Sequence, residues 1–189
     1  MPRRGMARRF ETEIRLKLTQ LLLDLIDLRS FSNLWYWIAL AVTWSTASHW
    51  VLGIPFDMVI RARRQGGAAM DDLMALARIN INRIQFIVTE AGTVLAALAA
   101  FAHTTLALLG FWYGVEFCQA MFLLLFPVTI VGIFTARTAR RIRDEASDGE
   151  QLCHRLHWHR ILVQAIGVLA ITVTAAWGML VNFNVSPLG

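Results

Sequence analysis

The stretch at residues 91–115 reads AGTVLAALAAFAHTTLALLGFWYGV and contains no Asp, Glu, Lys or Arg in 25 consecutive positions. Three further runs share this property, at residues 30–56, 117–136 and 161–189, with lengths of 27, 20 and 29. A soluble surface helix carries polar residues at every turn, whereas crossing a bilayer takes roughly 20 apolar residues. The pattern therefore predicts an all-α, polytopic membrane protein, and it argues against a soluble enzyme, a disordered chain and a β-barrel.

The four runs predict a four-helix transmembrane bundle in a domain at residues 31–183, followed by a short tail at 184–189. Spans are expected at about 33–55, 85–109, 115–135 and 161–182. Trp35 and Trp50 flank the first span, as aromatic residues do at the two membrane boundaries. Because only the GFWYG sequence at 110–114 separates the second and third spans, they are expected to form an antiparallel hairpin.

The first 30 residues form a separate region, a basic tail followed by an amphipathic helix. Apolar residues between positions 11 and 29 recur every three or four positions, with charged residues mostly on the other face. This pattern is typical of a helix that lies in the membrane interface or against a partner helix. Two arginine pairs near the start resemble an export signal, but no short apolar core with a cleavage site follows them.

The formal net charge of the chain is +5, and the position of the positive residues favours lipid over nucleic acid as the partner. The arginines flank apolar runs, so anionic headgroups are the expected counter-charge. The two basic loops are expected at 57–84 and 136–160, and the positive-inside rule places them in the cytoplasm, with both termini on the periplasmic side of a bacterial inner membrane. Headgroup contacts are expected from Arg61, Arg63, Arg64, Arg137, Arg140 and Arg141.

Small residues mark two helix faces that are expected to pack closely, because small side chains let backbones approach where lipid removes the hydrophobic drive for association. On the second span they are Gly92, Ala96, Ala99 and Ala100, in line with His103; on the fourth they are Gly167, Ala170, Thr174 and Gly178.

Ionisable residues at membrane depth are costly and are candidate functional sites. Glu90, His103 and Glu116 could form a proton or cation path, with the two carboxylates at opposite membrane faces. The alternative is that each carboxylate pairs with an arginine, such as Arg83 for Glu90, or caps a helix end near the interface. The second interpretation is favoured.

Histidines suggest two further sites. His49 and His103 could hold haem or a quinone, although they are expected at different depths, which favours helix-to-helix hydrogen bonds instead. Cys153, His154, His157 and His159 carry metal-ligating groups, but the interleaved Arg155 and Arg160 would repel a cation. We therefore expect no metal and no cofactor, and interpret this segment as a basic helix at the headgroups.

The sequence contains none of the motifs GxxxxGK[ST], GxSxG or HExxH, so no catalytic residues are predicted. Its basic segments of about 25 residues are also too short to hold a substrate domain.

Three segments carry a resemblance to a known group of proteins. They are the run from Leu28 to Arg64, the sequence YGVEFCQA at 113–120 and the sequence RTARRI at 137–142. Together they resemble an uncharacterised family of alphaproteobacterial membrane proteins, some of which are labelled as a component of the SufBCD iron–sulfur assembly complex. The resemblance implies an alphaproteobacterial inner membrane and supplies no catalytic residues.

These observations predict a non-catalytic accessory subunit, or an assembly factor, of a larger inner-membrane complex, respiratory or photosynthetic by the resemblance. The partners expected are lipids and either a larger complex or further copies of the chain. The alternatives are a small proton or cation conductor and a haem- or quinone-binding redox subunit.

Overall fold

The computed structural model describes residues 30–145 and 148–185, and this part of the chain is almost entirely helical. A 3₁₀ turn at Ser30–Ser32 is followed by α1 Leu34–His49, β1 Trp50–Val51, β2 Ile54–Pro55, α2 Phe56–Gln65, α3 Gly67–Ala107, α4 Glu116–Asp144 and α5 Gly149–Val185. Helix α3 continues as a π-helical turn over Leu108–Trp112. The expected amphipathic helix at 11–29, the basic tail before it and the last four residues lie outside the described residues.

Three helices, α3 with its π-helical turn, α4 and α5, are long and apolar enough to cross a membrane. Helix α1 has only 16 residues, a length of about 24 Å against a hydrocarbon core of about 30 Å. It is shorter than the expected 33–55, because Trp50–Val51 and Ile54–Pro55 pair as an antiparallel hairpin. Leu52 and Gly53, the two turn residues, both have positive φ, as tight hairpin turns require.

The expected basic loop at 136–160 is mostly helical, which corrects the sequence interpretation. Helix α4 continues to Asp144 and α5 begins at Gly149. The arginines of this segment alternate with an apolar stripe. It includes Ala139, Ile142, Leu152 and Leu156, all of them buried. The segment at 57–84 is helical too, and α3 runs without a break from Gly67 into the apolar span.

These helical extensions form a folded structure with its own core, which we call the basic end of the bundle. Its buried residues come from the hairpin, from α2 and from the adjoining ends of α3, α4 and α5; they include Ile54, Val59, Leu73, Ala139 and Leu156. Arg160 closes one side of this core, with its guanidinium carbon 3.9 Å from the centre of the Phe56 ring. A stacked cation of this kind stabilises a helix junction by about 0.5–2 kcal/mol.

Helix α1 packs against the small-residue stripe of α5, as the sequence predicted for that face. Trp44 lies over Gly167, where an added Cβ would come within 2.8 Å of the indole ring. Phe31 lies over Gly178, and Thr174 between them is fully buried. Helix α1 therefore starts beside the C-terminal part of α5 and runs toward the basic end.

Helices α3 and α4 form the expected antiparallel hairpin. Its closed end depends on Gly110, where a Cβ would lie 2.8 Å from the backbone nitrogen of Gln119. A residue larger than glycine does not fit here, where the backbones of the two helices come close together. The close packing expected for the small-residue face of α3 is not seen, because Gly92 to Ala100 face α4 across an apolar groove of about 690 Å³ that ends at His103.

Candidate functional site

Glu90 lies on a face of α3 that points away from the rest of the bundle. Gln85, five residues earlier, is buried and donates to the carbonyl oxygen of Ala136 on α4, which fixes the side of α3 that faces α4. Glu90 is exposed, and no ion pair involves it within the described part of the chain. Arg83 shares its face but forms no salt bridge with it there, so the expected pairing is absent.

The residues around Glu90 form a continuous surface, which we call the exposed face of α3. They recur every three or four positions and all are exposed: Phe86, Glu90, Val94, Ala97, Phe101, Thr104 and Leu108. Only 6% of the most apolar segment of this helix is buried, against 28% for that of α5. Between Phe86 and Leu108, this face of α3 thus presents one carboxylate and the Thr104 hydroxyl among exposed apolar side chains.

His103 lies inside the α3–α4 hairpin rather than on a polar path. Its Nδ1 donates to the carbonyl oxygen of Ala99 at 2.6 Å, a bond within its own helix. The edges of Phe122 and Phe126 pack around the ring, with centroids 5.8 Å away in both cases. The groove beside it is lined almost entirely by apolar side chains, so His103 is a packed interhelical residue.

Glu116 joins two elements at the end of the bundle opposite the basic end. Its Oε1 accepts the backbone N–H of Phe31 at 2.7 Å, which ties the start of α4 to the turn before α1. Beside it, Ser32 donates to Asn182 of α5 at 2.9 Å. The carboxylate therefore caps a turn at this end of the bundle.

Glu90, His103 and Glu116 do not form one site. Thirteen residues of α3 separate Glu90 from His103, a rise of about 20 Å, and Glu90 is on the opposite face. Glu116 is engaged with Phe31 at the far end. The described residues supply no chain of polar groups between them.

His49 and His103 are also apart. His49 ends α1 at the basic end, where the neighbouring Ser48 carbonyl accepts from Arg160. His103 is level with Phe122 and Phe126 of α4. A single iron or quinone headgroup cannot contact both rings.

Cys153, His154, His157 and His159 point in different directions. Cys153 is buried in the core of the basic end, where burial raises the pKa of its thiol. His154 is exposed and accepts from Trp158, and His157 packs against Phe56. No group of three or more potential metal ligands forms within the described residues.

His159 is a structural residue that the sequence did not reveal. It is buried, and its two ring nitrogens each lie 3.2 Å from a hydroxyl of α4, Thr135 at Nε2 and Thr138 at Nδ1. Thr135 already gives its hydrogen to the carbonyl oxygen of Val131. Nε2 must therefore be the donor to Thr135, which leaves Nδ1 to accept from Thr138. The neutral imidazole joins α4 to α5 where they enter the basic end.

Gln119 also joins helices by hydrogen bonds, near the end of the bundle opposite the basic end. It is buried, donates to the carbonyl oxygen of Gly110 at 2.8 Å and accepts the indole N–H of Trp177 at 2.9 Å. One side chain therefore connects α3, α4 and α5. Its only sequence signal was an amide in a run without charged residues.

The arginines singled out in the sequence lie on the outside of the basic end. All six are exposed: Arg61, Arg63, Arg64, Arg137, Arg140 and Arg141. Arg61 forms a loose pair with Asp72 at 3.9 Å, an exposed contact that contributes about 0–1 kcal/mol.

No protein-family model, no curated protein and no solved structure matches this chain, so the proposals that follow rest on its own geometry.

Proposed function

We propose that this protein is a non-catalytic accessory subunit of a larger inner-membrane complex, and that the exposed face of α3 is the surface that binds the complex. The observation that carries the proposal is Glu90, an exposed carboxylate among Phe86, Val94 and Phe101 that forms no ion pair with the residues the structure describes. An ionised group near the bilayer core costs energy unless it meets a counter-charge or a hydrogen-bond donor.

The partner that fits this face is a transmembrane helix with a basic or hydroxyl-bearing side chain at the depth of Glu90. Lipid tails satisfy the apolar residues of the face equally well, so they provide no specificity by themselves. The carboxylate does, because only a helix with a matching polar group satisfies it. In apolar surroundings such polar contacts contribute about 0.6–2 kcal/mol each and set the register of two helices.

The position of α1 supports a fourth transmembrane segment beside the three long helices. It contains no charged residue, and Trp35 and Val42 are among the apolar side chains on its exposed side. It extends from the level of Asn182 to that of Arg160, which is most of the apolar length of α5. With the positive-inside rule, the basic end is cytoplasmic and Ser30 and Val185 are periplasmic.

The binding surface can be tested with a photo-crosslinking amino acid placed at Val94, in the exposed face of α3. The matched control is Val168 on α5, which is exposed to a similar extent, 66% against 60% for Val94. After irradiation of native membranes, we expect the Val94 position to give a discrete protein adduct and the Val168 position to give none. Adducts of equal yield at both positions, or at neither, would contradict the proposal.

A second test separates the accessory role from ion conduction. Glu90→Gln is expected to lower the recovery of the complex in mild detergent several-fold, while proton flux into liposomes stays at the background level before and after the change. Glu150→Gln, an exposed carboxylate at the start of α5, is the control and should leave recovery unchanged. Flux that depends on Glu90 together with normal recovery would support the conductor instead.

A further inference from the structure

A crevice between α4 and α5 begins with a basic pocket at the basic end. The pocket has a volume of about 430 Å³ and is lined by Arg137, Thr138 and Arg141 of α4 and by His154, Arg155 and Trp158 of α5. Arg155 is paired with Glu145. Arg137 and Arg141 have no carboxylate within ion-pairing distance in the described part of the chain, so the pocket carries net positive charge.

The same crevice continues toward the opposite end as an apolar slot of about 250 Å³. Leu123, Ile130 and Phe126 line it from α4, and Ile166, Leu169 and Val173 from α5. Phe134 and Leu162 line the floor of the basic pocket, between the arginines and the slot. On α4 the series 123, 127, 130, 134, 137 and 141 recurs every three or four residues, and so does the series 155, 158, 162, 166, 169 and 173 on α5. Pocket and slot therefore occupy one side of the helix pair, and no residue of α1 lines either.

The dimensions of the crevice suit one leaflet of a bilayer. From Arg137 to Leu123 the helix rises about 21 Å, which is close to half of a bilayer of about 40–45 Å that includes its headgroups. Trp158 lies at the level of the basic pocket, exposed, with its indole N–H donated to His154 at 2.9 Å. Exposed indoles are typical of the headgroup boundary. Positive charge at that boundary with an apolar slot below it matches the shape and polarity of one phospholipid.

We propose that this crevice is a specific site for an anionic phospholipid, with the phosphate held by Arg137 and Arg141 and an acyl chain in the slot between α4 and α5. A free phosphate shares the charge but has nothing to fill the slot, which is why the phospholipid is the occupant that fits. The site is separate from the exposed face of α3 and does not depend on the proposed accessory role.

The test uses the full chain, purified in a mild detergent, and measures lipid retention by native mass spectrometry. The probes are phosphatidylglycerol, phosphatidylcholine with the same acyl chains, and glycerol phosphate, which has the anionic head without chains. We expect one phosphatidylglycerol to be retained, with at least tenfold weaker phosphatidylcholine binding and no binding of glycerol phosphate. Equal binding of the first two lipids, or binding of glycerol phosphate as tight as that of phosphatidylglycerol, would overturn the proposal.

Two double variants locate the site. The variant R137Q/R141Q removes both phosphate contacts and is expected to weaken phosphatidylglycerol binding about thirtyfold, since each basic residue at a lipid surface contributes about fivefold. The variant R78Q/R143Q removes the same charge from residues that do not line the crevice, and binding should change less than threefold. All four arginines are exposed, so the fold should tolerate both changes. Equal weakening by the two variants would indicate a diffuse charge effect and refute a defined site.

Discussion

Gly167→Val is expected to separate α1 from α5 and to lower the free energy of unfolding by about 1–3 kcal/mol. At Gly167 even a Cβ would come within 2.8 Å of the Trp44 ring. The indole cannot move aside without losing the contacts that bury it, since Trp44 packs with Leu40 and Ala170 in one apolar cluster. The change can be measured by denaturant unfolding in detergent micelles, with tryptophan fluorescence as a probe of local packing.

Gly132→Val is the matched control for this prediction. Gly132 lies in the apolar part of α4, and a Cβ there meets nothing within 4 Å. The same chemical change should therefore leave stability within about 0.5 kcal/mol of the wild type. A similar loss for both variants would mean that valine is harmful for reasons other than the contact between α1 and α5.

Gln119→Leu should cost about 2 kcal/mol of stability, because a buried carbonyl oxygen and a half-buried indole N–H lose their partner at once. The carbonyl oxygen of Gly110 loses its donor and the indole N–H of Trp177 loses its acceptor. Each unsatisfied buried group costs about 1 kcal/mol or more. Thermal unfolding in detergent measures the loss, and the emission of Trp177 should shift because its N–H bond is gone.

Gln164→Leu provides the comparison for Gln119→Leu. Gln164 is an exposed amide on α5 with no hydrogen-bond partner in the described part of the chain. Its replacement should leave the unfolding temperature unchanged or raise it slightly. If Gln164→Leu destabilises the protein as much as Gln119→Leu, the network that joins α3, α4 and α5 is not the cause.

The apolar elements could be predicted from sequence because bilayer thickness and helix rise link residue count directly to structure. The uncharged stretch at 91–115 predicted the α3–α4 hairpin, and the small residues from Gly167 to Gly178 predicted a close helix contact. The identity of the helix that fills this stripe could not be predicted. Trp44 and Phe31 reach it from more than 100 residues away, and nothing local in the sequence indicates that pairing.

The basic segments were harder to interpret, because arginines dominate their composition. At 136–160 charged residues separate the buried positions Ala139, Ile142, Leu152 and Leu156. By composition the segment resembles a loop, and only the helical spacing of its apolar residues indicates a helix. From its sequence context, the buried His159 could not be distinguished from the possible metal ligands of the same segment. Whether a histidine coordinates, titrates or simply joins two helices depends on the hydroxyls opposite it, and those belong to another helix.

Helix α3 also has a mechanical consequence. Its 41 residues rise about 60 Å, twice the thickness of a hydrocarbon core, and no proline interrupts them. An uninterrupted helix of this length moves as a rigid body. Asp71 and Asp72 lie roughly 28 Å from Glu90 along the axis of α3. A partner that tilts or rotates α3 at the depth of Glu90 would therefore also move Asp71 and Asp72. An event inside the bilayer would thereby be transmitted to the basic end.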